Sequence, residues 1–99
     1  MLVTISRNGV SIRLTEERWQ HILSQHPELS AMQLEVLDTV ASPERILAGN
    51  EGAAIAVRET KPRKWLVVIY REESEDGFIS TAFFTNRKSY LDRRIQLWP

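Results

Sequence analysis

Residues 2–6 and 10–14 alternate apolar with polar side chains, the two-residue period of a strand that buries one face. Asn8-Gly9 lies between them and suits the positive φ of a tight turn, so the pattern predicts a β-hairpin. At Thr15 the period changes. Thr15 reads as a helix N-cap, and Glu16 and Glu17 fall in a first turn that favours acidic side chains. Trp19, Ile22 and Leu23 then recur at helical spacing as a buried stripe. Pro27 pushes His26 away from helical dihedrals, which ends this helix near Gln25. Ser30 and Gln33 have the spacing of a capping box for a second helix, with Met32, Val36, Leu37 and Val40 as its apolar face and Ser42-Pro43 as its stop.

Beyond Pro43 the two-residue period returns. Residues 45–48 read as a short strand, 49–52 as a loop, and 53–59 as another strand, interrupted by Lys61-Pro62-Arg63. Residues 65–70 are continuously apolar, as expected of a central strand covered on both faces. A polar turn ending at Asp76-Gly77 leads to a last strong strand at 78–84. There, simple alternation sets Ser80, Ala82 and Phe84 on one face and Ile79, Thr81, Phe83 and Thr85 on the other. Residues 85–94 are polar and basic, and Leu97-Trp98 reads as a terminal apolar anchor. The order predicts one α+β domain spanning residues 1–99: an N-terminal hairpin, two helices, then an antiparallel β-meander with the helices packed on one sheet face.

Composition narrows the chemistry. The absence of cysteine excludes disulfides, thiolate metal sites and cysteine nucleophiles, and is compatible with the reducing cytoplasm expected as the location. The longest apolar run is too short for a membrane span, and Arg7-Asn8-Gly9 is unlike a signal peptide. A net charge of zero hides an asymmetry. Residues 1–52 carry four basic against seven acidic side chains, a balance of −3, whereas residues 53–99 carry nine against six, a balance of +3. Arg58, Lys61, Arg63, Lys64 and Arg71 crowd one stretch, and Arg87, Lys88, Arg93 and Arg94 another. Two readings stand: a basic face for a phosphate backbone, or charges that solvate a sheet edge and two loops.

His21 and His26 stand five residues apart, which on a helix separates their side chains, so no metal site is expected. No glycine-rich phosphate loop or nucleophile elbow is present. His21 lies opposite Trp19 and Ile22 on the helical wheel and is therefore accessible, either an ordinary surface histidine or a general acid–base group. His26, beside Pro27 and Glu28, suits a structural role at the helix end, with Glu28 orienting its ring. Thr85-Asn86-Arg87-Lys88 brings a hydroxyl, an amide and two cations to one strand end, either a phosphate-binding group or a solvated turn.

The ordered set Leu14-Thr15-Glu16-Glu17-Arg18-Trp19-Gln20-His21-Ile22, His26-Pro27-Glu28-Leu29, Tyr70 closing a Val-rich strand, Gly77 through Thr85, and Leu97-Trp98 resembles a known group. It is similar to small phage- and bacteria-borne proteins of the barnase–EndoU–colicin–RelE-like nuclease fold. The layout is also similar to that of BrnT-type ribonuclease toxins, which lack the His-Pro-Glu turn. The resemblance covers residues 12–98. It implies an endoribonuclease that needs no metal or other cofactor, acting by attack of the ribose 2′-hydroxyl on the adjacent phosphate, with RNA as substrate and a protein antitoxin as partner. On this reading His21 is the base or acid, and Arg58, Arg87 and Lys88 stabilise the phosphate. Thr81 and Thr85 orient it, and Tyr70 stacks on a base or donates a proton. The competing readings are a non-catalytic RNA- or protein-binding module on the same scaffold, and a self-associating homo-oligomer using the hairpin edge.

Overall fold

Gly9, at φ 82°, reverses the chain between β1 (Leu2–Ile5) and β2 (Ser11–Leu14), and the Ser6 N–H closes the turn onto the Val10 carbonyl at 2.9 Å. The computed structural model describes residues 1–74 and 76–99. Thr15 begins α1 (Glu16–Gln25) as the sequence predicts, its Oγ1 accepting the Arg18 N–H at 3.1 Å. Trp19 and Ile22 are buried, and Pro27 diverts the chain into a single 3-10 turn at Pro27–Leu29. That turn changes the start of α2 (Gln33–Ala41). Ser30 adopts helical dihedrals at the end of the 3-10 turn, whereas an N-cap needs extended backbone. The expected Ser30–Gln33 capping box therefore does not form, and α2 starts from Met32 without a side-chain cap.

The meander follows as β3 (Arg45–Ala48), β4 (Ala54–Lys61), β5 (Lys64–Glu73) and β6 (Asp76–Thr85), each antiparallel to the next. Lys61-Pro62-Arg63 shortens neither strand; Pro62 and Arg63, the latter at φ 62°, make the turn between them. The polar turn expected before β6 includes Glu75, which lies outside the described residues, while Asp76 and Gly77 already belong to the strand. A Cβ on Gly77 would collide with the Arg71 carbonyl and come within 2.7 Å of Ile12 Cδ1, so this close approach of β2, β6 and β5 requires glycine. Two further elements complete the chain, α3 (Lys88–Asp92) and β7 (Gln96–Trp98). The seven strands lie in the order β1-β2-β6-β5-β4-β3-β7, with β2 parallel to β6 and the other pairs antiparallel.

β5 carries the centre of the core, with Leu66, Val67 and Val68 fully buried. One sheet face, bearing Ile12, Leu66, Val68, Tyr70 and Ala82, packs on Trp19, Ile22, Val36 and Val40 of α1 and α2. Each fully buried aliphatic side chain contributes about 1.5–3 kcal/mol. The other face, with Leu47, Ile55, Val57 and Val67, is covered by Leu91 of α3, so the expectation of helices on one face holds for α1 and α2 but not for α3. A bulge corrects the predicted alternation of β6. Ile69 pairs with Thr81 but Tyr70 pairs with Ile79, which leaves Ser80 as the extra residue and puts Ile79 on the same face as Ala82 and Phe84. Among the described residues no helix is long and apolar enough to cross a membrane.

Candidate functional site

β2 pairs with β6 only through Phe78, and α1 continues from β2 alongside the rest of β6. This leaves the C-terminal end of β6, from Phe83 to Thr85, at a corner where the sheet, the 3-10 turn and the β4–β5 turn meet. A cleft of about 500 Å³ opens there. Met32 and Phe84 form its apolar floor, Glu28 and Glu35 one wall, and Arg58, Lys61 and Lys64 the other. The Lys64 ammonium lies 4.4 Å from the centre of the Phe84 ring, a cation–π contact that holds it over the floor.

A second hollow of about 440 Å³ shares Lys64 and Phe84 with the first and adds Thr85, Asn86 and Arg87. The two form one groove around the end of β6. Thr85 Oγ1 accepts the Arg87 N–H at 3.1 Å, a local turn that fixes how Arg87 leaves the strand. Among the described residues, Arg58, Lys61, Lys64 and Arg87 have no carboxylate within ion-pair distance. Lys88 differs: it pairs with Asp92 at 2.9 Å, and Arg45 reaches the same carboxylate at 3.0 Å. The hydrogen bond from Lys88, with that from Arg45, holds the Asp92 carboxyl below its usual range.

The two histidines part company. His21 is exposed and lines a small depression with Thr15, Glu17 and Arg18, sharing no residue with the groove. His26 caps α1, its N–H bonded to the Ile22 carbonyl at 2.8 Å. Its ring centre lies 5.9 Å from that of Phe83, and its Nδ1 is 3.8 Å from a Glu28 oxygen. Glu28 lines the cleft, so His26, which lines neither hollow itself, adjoins the groove through this carboxylate.

Of the residues singled out from the sequence, the groove gathers Arg58, Thr85 and Arg87. Thr81 faces the opposite side of the sheet from Arg58, since its partner Ile69 alternates with the helix-side Val68 and Tyr70. Tyr70 is 1% exposed, and burial, followed by the charge of Glu72, pushes its phenol up to about 12. Its ring is thus unavailable for the stacking role assigned to it, because Tyr70 alternates with Leu66 and Val68 on the helix-side face of β5 and packs in the core. Lys61, Lys64 and Asn86, named in the sequence only as members of a basic stretch and of the Thr85–Lys88 group, had been given no individual role. Lys61 and Lys64 flank the turn at Pro62, where a hairpin would have placed them together; Asn86 stood inside the Thr85–Lys88 group already singled out. Among the described residues no three His, Asp or Glu side chains group as a metal site requires. No protein-family model, no curated protein and no solved structure matches the chain.

Proposed function

We propose that this chain is a small endoribonuclease that cleaves RNA through attack of the ribose 2′-hydroxyl on the adjacent phosphate, using its own side chains and no metal. The observation that carries the proposal is that Glu28, 3.8 Å from His26 Nδ1, shares one groove around the end of β6 with Arg58, Lys61, Lys64 and Arg87, which among the described residues have no carboxylate within ion-pair distance. The reaction needs a group to take the proton of the 2′-hydroxyl, one to protonate the leaving 5′-oxygen, and positive charge for the phosphorane between them. His26 serves proton transfer, and a Glu28 oxygen lies 3.8 Å from its Nδ1. Arg87 and Lys64 receive the phosphate oxygens, and the Thr85 hydroxyl and Asn86 amide flank them. The resemblance of residues 12–98 to ribonucleases of the barnase–EndoU–colicin–RelE-like fold supports the same chemistry. The three carboxylates that also line the cleft, Glu28, Glu35 and Glu59, favour a second reading, a non-catalytic module that binds a protein partner there.

Purified protein, end-labelled single-stranded RNA and EDTA decide between them. The expected products carry 2′,3′-cyclic phosphate ends, and DNA, which lacks the attacking hydroxyl, stays intact. His26→Ala should slow cleavage by about 100-fold or more, the range for a positioned proton-transfer group, while His21→Ala leaves the rate within about twofold. Cleavage that needs added divalent metal, or that falls with His21→Ala and not with His26→Ala, overturns this assignment. Inactivity on several RNAs transfers the choice to the binding module.

A further inference from the structure

The sheet face away from α1 and α2 is covered by a helix of only five residues, and what lies beside that helix is a row of rings. Phe83 and Tyr90, both half-buried, meet edge to face with centres 6.4 Å apart and planes at 62°. His26 adjoins Phe83 on one side, and the Arg94 guanidinium sits 5.5 Å from the Tyr90 ring centre on the other. The row leads from the proposed catalytic histidine to a shallow hollow of about 520 Å³, lined by Gly49, Tyr90, Arg93, Arg94 and Ile95 among others. Arg94 is held in place there, donating to the Ala48 carbonyl at 3.3 Å.

The charge of this hollow is one-sided. Asp92 is the acidic residue of the 86–95 segment, and Lys88 and Arg45 occupy it. Among the described residues Arg93 and Arg94 have no carboxylate within ion-pair distance, so they are available to an anion. A bare phosphate would use the two guanidinium groups and leave Tyr90 and the exposed Ile95 unused. A nucleotide uses the ring as well as the arginines: the base lies on the aromatic ring and its phosphate on the guanidinium groups. A base inside a duplex is already stacked on both faces and cannot reach the ring. We infer that the hollow beside Tyr90 takes one unpaired nucleotide of single-stranded RNA, with the base on Tyr90 and the phosphate on Arg93 and Arg94. The inference rests on RNA being the substrate, and it makes the row His26, Phe83, Tyr90 the path of the strand away from the cleavage point.

The test uses the intact protein and a fluorescein-labelled 2′-O-methyl octanucleotide, which has no free 2′-hydroxyl and so survives the proposed chemistry. Wild type should bind the single strand and bind the same sequence as a duplex at least tenfold more weakly. Tyr90→Leu, which keeps an apolar side chain against the core, should weaken single-strand binding by about tenfold, in line with the loss of one stacked base. Tyr90→Phe should restore wild-type affinity, because the ring and not the hydroxyl does the stacking. Thermal melts confirm that both variants fold. Equal affinity of Tyr90→Leu and wild type overturns the inference, as does failure of Tyr90→Phe to restore binding or equal binding of single strand and duplex. The two proposals separate cleanly. Tyr90-dependent binding without cleavage of unmodified RNA sustains the stacking site and removes the ribonuclease. Cleavage with no dependence on Tyr90 does the reverse.

Discussion

Tyr70 shows how one side chain's position can overrule its chemistry. At the end of a Val-rich strand it reads as a ring for stacking, yet it is among the largest fully buried side chains. Burial, with Glu72 adding to it, favours the neutral phenol and raises its pKa to about 12 from the ordinary 10.0. In the unfolded chain the phenol ionises near its ordinary value. The stabilisation is therefore complete below about pH 10 and is lost as pH rises toward about 12. Its size is on the order of 2 kcal/mol. Urea unfolding at pH 9 and pH 11.5 should show wild type losing more stability across this window than Tyr70→Phe, which has no phenol to ionise. Parallel losses in the two proteins would show that the phenol is not the group responsible.

The same opposition between local signal and context recurs in the elements. Thr15 and Ser30 both precede a helix and both carry a hydroxyl suited to capping. Only Thr15 does so, because its backbone is extended at φ −76° and ψ 155°, while the 3-10 turn at Pro27–Leu29 has already placed Ser30 in helical dihedrals. Thr15→Ala should remove about 1 kcal/mol, a fall of about 4–8 °C in Tm for a domain of this size. Ser30→Ala, measured in the same thermal melts, should stay within about 0.5 kcal/mol of wild type. The hairpin turn is tied by side chains as well as by its own backbone. Ser6 and Asn8 both donate to the Glu72 carboxylate of β5, and Arg7 beside them lies 4.0 Å over the Trp98 ring of β7.

At the scale of the molecule, zero net charge conceals a division of labour among the cations. Arg13, Arg45 and Lys88 are paired with Asp76 and Asp92, while Arg58, Lys61, Lys64 and Arg87, around the end of β6, have no ion-pair partner among the described residues. If those four neutralise phosphates, single-strand affinity should fall with salt at a log–log slope of about −3, following about −0.7 per phosphate. Arg87→Gln should make the slope shallower by about 0.7, as read by fluorescence anisotropy over a salt series. A wild-type slope near zero would show that the groove does not hold a phosphate backbone.

Periodicity alone determined the hairpin, α1, α2 and the meander, because each buries a face long enough for its spacing to register. Beyond the tight turn at Asn8-Gly9 and the cap at Thr15, the central strand was legible in residues 65–70, where no polar side chain interrupts the run. The parallel pairing of β2 with β6, the bulge at Ser80, α3 and β7 were decided by the tertiary structure. Two of these are too short to show a period; the parallel pairing joins backbones distant in sequence, and the bulge shifts the register within a hairpin, and side-chain patterning records neither. The candidate site divides in the same way. Arg58, Thr85 and Arg87 were legible as chemistry in the sequence, but their meeting with Lys64 depends on β4, β5 and β6 ending at one corner. The choice between His21 and His26 was likewise tertiary: accessibility on the helical wheel favoured His21, whereas the path of α1 along the free edge of β6 sets His26 against Phe83.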